Sequence, residues 1–130
     1  MVSMTDFRTA RRTVSGDAEV SLSRTTIRLV GIATSVASTV ATTMLTYTPT
    51  ADTNIIRIGC GGEDYAKFQL FIDTVLLETK RSGPDRYADF SWAMPFGLDA
   101  LETLQVKVTH FHTGDTLDFD CALYAFPQPT

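Results

Sequence analysis

Between Leu104 and Phe126 apolar and polar residues alternate with a period of two. Leu104, Val106 and Val108 fall on one phase, with Gln105, Lys107 and Thr109 on the other. Past Thr113-Gly114-Asp115-Thr116 the alternation resumes, with Phe119, Cys121 and Leu123 set against Asp118 and Asp120. Side chains on a strand point to opposite faces in turn, so this pattern predicts an antiparallel hairpin with one buried face, turning at Gly114-Asp115. Val106, Val108, Phe119, Cys121 and Leu123 are then core residues, and Lys107, Asp118 and Asp120 face solvent. A second hairpin is predicted over Ala66–Lys80, with its turn at Asp73-Thr74. The core is expected from alternating positions of these two hairpins.

The rest of the chain is patterned less sharply. Residues 18–30 alternate loosely and predict one or two strands. Gly31–Thr43 is an Ala/Ser/Thr/Val stretch in which β-branched residues favour strand or extended loop over helix. Short strands are predicted at Met44–Thr48 and Ile55–Ile58, and another at Tyr87–Ala93, where Ala88, Phe90 and Trp92 alternate with Tyr87, Asp89 and Ser91. Pro95–Glu102 reads as a connection, with one helical turn at Leu98–Leu101. Eight or nine short strands at turn spacings near ten residues, without a helix of three turns, predict an all-β antiparallel sandwich. Eight strands suit a jelly roll best. The organisation expected is an extended N-terminal arm over residues 1–16 and one β-sandwich domain over residues 17–130.

A chain of 130 residues is long enough to bury a core without a metal or disulfide staple. Charge changes the picture more than composition does. Residues 1–16 carry Arg8, Arg11 and Arg12 against Asp6, a net of +2. The remaining 114 residues carry 8 basic and 14 acidic side chains, a net of −6. An acidic body argues against nucleic acid as a partner. A short basic arm suits contact with an acidic neighbour, such as another copy of the chain, and Arg8, Arg11 and Arg12 are its candidate partner-binding residues. The plainer reading of such an arm is a frayed, solvated terminus. No run approaches the ~18 apolar residues of a membrane span, and the first 26 residues lack a signal-peptide core. The expectation is a chain made in a cytoplasm, with no membrane partner.

The candidate chemistry is thin. Cys60 and Cys121 lack the spacing of a zinc site or a disulfide framework, although a Cys60–Cys121 bridge stays open. His110 and His112 are the only histidines and share the apolar phase of their strand. An H-x-H pair on a strand is how cupins present metal ligands, but a working site needs a third ligand and usually a fourth. Neither a third histidine nor a suitably placed Glu follows, so two partly buried histidines near a sheet end is the better reading. Asp115, Asp118 and Asp120 offer clustered oxygens of the kind calcium prefers, and more simply provide solubilising charge. Gly59-Cys60-Gly61-Gly62 has the glycines of a phosphate loop without its Lys-Ser/Thr or a following helix. Trp92, Tyr87 and Phe90 follow the Arg81–Arg86 loop, where exposed aromatics can stack on sugars, while a single Trp is more often core. No catalytic, cofactor-binding or metal residue is assigned, and the chain reads as a non-enzyme.

The layout as a whole resembles the small acidic β-sandwich proteins of tailed-phage virions: capsid decoration (cement) proteins and fibre-head domains. The resemblance is carried by the Thr/Ser/Arg arm, the Ala/Ser/Thr/Val stretch at 31–43, the Phe68–Lys80 hairpin and the terminal strand ending Ala122-Leu123-Tyr124-Ala125-Phe126. It implies a bacteriophage structural protein on the capsid surface, bound to capsid protein or other virion proteins, assembled as a homotrimer and exchanging arms. It transfers no site residue. The alternative is a glycan- or receptor-binding β-sandwich module of a phage fibre or tail.

Overall fold

The computed structural model describes residues 26–128. The arm over residues 1–16, with Arg8, Arg11 and Arg12, lies outside the described residues, as do 17–25. Eight strands follow in order: β1 (Ile27–Ala37), β2 (Thr42–Tyr47), β3 (Thr53–Gly62), β4 (Ala66–Ile72), β5 (Val75–Arg81), β6 (Tyr87–Leu98), β7 (Leu104–His110) and β8 (Thr116–Pro127). They form two four-stranded sheets, β1-β8-β3-β6 and β2-β7-β4-β5, and every neighbouring pair is antiparallel. That strand order is the jelly roll, in which successive strands, the β4–β5 hairpin excepted, cross between two facing sheets. The β-sandwich was legible from strand number and spacing.

The core lies between the sheets. Ile55, Ile58, Phe90, Phe119 and Leu123 from the first sheet meet Phe68, Leu70, Leu104, Val106 and Val108 from the second, all fully or almost fully buried. Burying each such side chain stabilises the fold by roughly 1.5–3 kcal/mol. The five core positions expected from the C-terminal strands are buried, and Asp118 and Asp120 are exposed, with Lys107 half-buried. β5 breaks the expectation that both hairpins feed the core. None of its residues is buried, because it closes the edge of its sheet and the facing sheet does not reach over it.

The two C-terminal strands are not a hairpin. β7 pairs with β2 and β4, and β8 pairs with β1 and β3, so residues 111–115 carry the chain from one sheet to the other. Alternation records that each strand buries one face; it is the same whether the next strand lies beside or across the core. The turn falls at Thr113-Gly114, not Gly114-Asp115, with Gly114 at φ 87°. The predicted connection after Ala93 is also strand. β6 runs on to Leu98 through Pro95, which an edge strand tolerates. Its register against β3 jumps from Ser91↔Arg57 to Phe96↔Ile55, so residues 92–95 bulge out of the ladder. In place of the predicted helical turn, a β-turn spans Asp99–Glu102, closed by the Glu102 N–H donating to the Asp99 carbonyl at 3.1 Å, with Leu101 at φ 70°.

The β4–β5 hairpin forms as the sequence predicts. Ile72 pairs with Val75 across a two-residue turn, and Asp73 and Thr74 take φ values of 48° and 69°. Positive φ at both positions is the type I′ geometry that matches strand twist. Asp73 suits it and is anchored twice: its N–H donates to the Thr103 carbonyl at 2.9 Å, and its Oδ1 accepts from the Thr103 N–H at 2.8 Å. Thr74 does not suit it, since a β-branched residue in the left-handed region is strained by about 1–3 kcal/mol. Thr74→Gly should therefore stabilise the protein by about 1 kcal/mol, after the greater chain entropy of glycine is offset. Chemical denaturation measures it; an unchanged or lower midpoint would show that Thr74 is not strained.

Candidate functional site

The glycine cluster is a structural device. On β3, Ile58 and Cys60 face the core, so Gly59 and Gly61 lie on the outer face of the first sheet. The Tyr87 side chain rests over them: a Cβ on Gly59 would come within 2.1 Å of the Tyr87 hydroxyl. Arg57 donates to that hydroxyl at 2.8 Å and to Asp89 at 3.0 Å. The hydrogen bond and charge of Asp89 raise the pKa of Arg57, and partial burial raises that of Tyr87. Tyr124 lies between the guanidinium groups of Arg28 and Arg57, each 5.9 Å from its ring centroid. Tyr87 is thus engaged against the outer face of the sheet, while remaining 39% exposed. Trp92 is half-buried, stacked on Phe96 at 5.5 Å, with its indole N–H donating to Glu78 at 3.2 Å.

Cys60 and Cys121 face each other in register on β3 and β8, both buried and both free thiols. The hydrogen bond to Cys121, together with burial, pushes the Cys60 thiol up and keeps it protonated. Cys60 therefore has neither the exposure nor the thiolate character of a reactive thiol.

The two histidines separate. His110 ends β7 inside the core, as its phase predicts. Its Nδ1 accepts the His112 N–H at 3.2 Å, which leaves Nε2 to carry the proton and donate to the Val36 carbonyl at 2.7 Å. Both nitrogens are engaged within the protein. His112 lies past the end of the strand, so the alternation no longer governs it and its ring is half-exposed in the 111–115 loop. Its Nδ1 is 3.0 Å from Asp64 and its Nε2 is 2.8 Å from Asp115. The aspartates considered together in the sequence also part. Asp115 meets His112, Asp118 accepts the Ser35 N–H at 2.8 Å beside a β1 bulge, and Asp120 stays exposed. Among the described residues no group of three His, Cys, Asp or Glu side chains is arranged to hold a metal ion.

Two surfaces emerge that the sequence reading did not single out. The first is an open cleft of about 350 Å³ at one end of the sandwich, lined by Asp64, Tyr65, Ala66, Arg81, Ser82, Phe111 and His112. Ala66 pairs with His110, so Tyr65 and Phe111 continue that register one step beyond the strand ends and stand opposite each other. Their side chains are 52% and 53% exposed. One signal was available: Phe111 falls on the same phase as Gln105, Lys107 and Thr109, and an aromatic on the polar phase is out of place in a simple sandwich strand.

No known family, curated protein or solved structure matches this chain.

The second surface is the flank formed by the edge strands β5 and β6. Val75, Leu76 and Leu77 are exposed on β5, Val75 at 67%, and Met94 in the β6 bulge is 77% exposed. Among the described residues β5 bonds to β4 on one side only, and no strand neighbours its outer edge. Glu78 bridges to Trp92 and to Lys80, the latter at 3.4 Å, and closes the gap between the two edges. An exposed apolar edge of this kind is a template for contact with another chain. Arg8, Arg11 and Arg12 lie outside the described residues and are not placed against either surface.

Proposed function

We propose that this chain is a non-enzymatic structural protein of a bacteriophage virion, a decoration protein that docks on the capsid lattice and stabilises it. The observation that carries the reading is the exposed Val75-Leu76-Leu77 run on the edge strand β5, together with exposed Met94 on the edge strand β6. Soluble proteins rarely leave several large apolar side chains exposed on a strand edge, and natural edges are usually blunted by charge or cover. The jelly roll supports it as a scaffold common in virions. The fold alone does not decide function, since lectin domains and cupins use it too. A homotrimer, with Arg8, Arg11 and Arg12 of the arm set against acidic groups of a neighbouring chain, is the assembly that goes with this reading.

The test is reconstitution. Purified protein should bind undecorated capsids of its own phage saturably and raise their resistance to heat. Val75→Lys combined with Leu77→Lys should weaken binding at least about tenfold, a loss of roughly 1.4 kcal/mol, while melting stays near wild type because both sites are exposed. Deleting residues 1–16 should weaken it as well. Wild-type protein that ignores capsids would end this reading. The alternative, a glycan- or receptor-binding module of a fibre or tail, is favoured by the aromatic cleft at the end of the sandwich.

A further inference from the structure

The geometry points to the cleft between the β3–β4 loop and the 111–115 loop as a binding site for a sugar ring that carries a carboxylate. The inference does not rest on docking on a capsid: of the residues involved only Arg81, at the end of β5, belongs to the β5–β6 flank, and Val75, Leu76, Leu77 and Met94 do not line the cleft.

Most polar side chains in the cleft are already engaged within the protein. Both carboxylate oxygens of Asp64 are: Oδ1 accepts the Tyr65 N–H at 2.7 Å and Oδ2 faces His112 Nδ1 at 3.0 Å. The second ring nitrogen of His112 is held by Asp115. Ser82 Oγ accepts from the Ala66 N–H at 3.0 Å and returns a bond to the Ala66 carbonyl at 3.2 Å. Arg81 differs. It is exposed at the end of β5, and among the described residues its guanidinium makes no hydrogen bond or ion pair. The cleft therefore offers two aromatic rings and one uncommitted guanidinium.

The His112 bridge between Asp64 and Asp115 ties the two loops together and fixes the wall that carries Phe111. The rings are themselves braced. The Arg86 guanidinium lies 5.9 Å from the Tyr65 ring centroid, and the Tyr65 hydroxyl donates to the Pro84 carbonyl at 3.2 Å. The Lys67 ammonium lies 5.8 Å from the Phe111 centroid. Arg81 is the one cation lining the cleft, with Arg86 and Lys67 set against its two aromatic rings, while its acidic group Asp64 is engaged within the protein. A preformed cleft with braced aromatics and one open charged group has the usual make-up of a small-ligand site.

The ligand class follows from complementarity. A guanidinium binds a carboxylate through two parallel N–H···O bonds, a geometry a lone ammonium does not provide. Aromatic faces accept the flat C–H face of a pyranose, and the open side of the cleft leaves hydroxyls on the other face in water. At about 350 Å³ the space suits one or two sugar rings. One unpaired arginine in an acidic body matches one carboxylate better than the repeated phosphates of a nucleic acid, whose binding needs several cations in a row.

The experiment is a heteronuclear NMR titration of the full chain with three probes: sialyllactose, neutral lactose and a single-stranded oligothymidylate. Sialyllactose should shift the amides of residues 63–66, 81–83 and 110–115, and lactose should bind at least about tenfold more weakly. Arg81→Gln should remove the preference for the acidic sugar, and Phe111→Ala should weaken both sugars, with each variant's amide spectrum elsewhere unchanged as the folding check. A glucuronate-bearing disaccharide provides a second acidic probe if sialic acid is excluded by shape. Binding of neither acidic sugar, equal binding of acidic and neutral sugars, no effect of Arg81→Gln, or salt-sensitive binding of the oligonucleotide at this cleft would each overturn the proposal.

Discussion

Replacing Phe119 with Ala should destabilise the protein by about 3–5 kcal/mol, the range for removing a buried aromatic where the surroundings cannot collapse. Phe119 reaches from β8 into the centre of the sandwich. It meets Phe68 of the opposite sheet edge-on at 6.2 Å and lies 5.7 Å from His110. Each aromatic contact adds about 0.5–1.5 kcal/mol beyond area burial. Its ring also covers Gly62 so closely that a Cβ there would be 2.2 Å from it, so the backbone beneath carries no side chain able to fill the space. Folded domains are stable by only about 5–15 kcal/mol, so this one change removes a large share. Equilibrium urea denaturation reads it as a fall in midpoint at constant slope. A loss under about 1 kcal/mol would mean that the two sheets close over the cavity, and that Phe119 fills space without holding them apart.

Phe119 also marks what was legible in the chain and what was not. That β7 and β8 each bury one face is written in their alternation, which is why Val106, Val108, Phe119, Cys121 and Leu123 could be named as core. Which strand lies beside which is not written there. The pattern is local, and a strand facing its successor across the core carries the same pattern as one paired to it. The β4–β5 hairpin escaped this ambiguity because a two-residue loop at Asp73-Thr74 leaves no chain length to cross the sandwich. His112 was misplaced for the same reason as the hairpin: extending the β7 phase by two residues assumed a strand that ends at His110. The cleft was half legible. Phe111 stands out on the polar phase, but Tyr65 and Arg81 come from other segments, and only the Ala66↔His110 register brings them together. The apolar run Val75-Leu76-Leu77 reads as core in isolation and is an exposed edge in the fold, a distinction set by strand order. The arm with Arg8, Arg11 and Arg12 lies outside the described residues, and its role stands with the proposed assembly.

The second large effect is expected from the smallest substitution. Gly31→Ala should cost about 2–3 kcal/mol, while Gly61→Ala should change stability by less than about 1 kcal/mol in either direction. Both glycines lie within strands, and neither has positive φ, so backbone freedom is not the reason for either. The difference is in what each faces. Gly31 points inward on β1 at the edge of the sandwich, where β2 of the other sheet comes close. A Cβ there would lie 2.3 Å from the Met44 carbonyl oxygen and 2.8 Å from the Leu45 Cβ. Those are a backbone atom and the root of a side chain, which cannot swing aside, so accommodating the methyl means parting the two sheets at that flank. Gly61 faces outward, and its Cβ would meet the Tyr87 ring edge at 3.4 Å and the Arg86 carbonyl at 3.5 Å, which is ordinary contact. There the methyl restricts the unfolded chain at little native cost. Thermal and urea unfolding of the two variants side by side separate close sheet approach from generic loss of glycine. Equal effects would show that the β1–β2 flank yields to an added methyl, and with it that the two sheets are not locked at that edge.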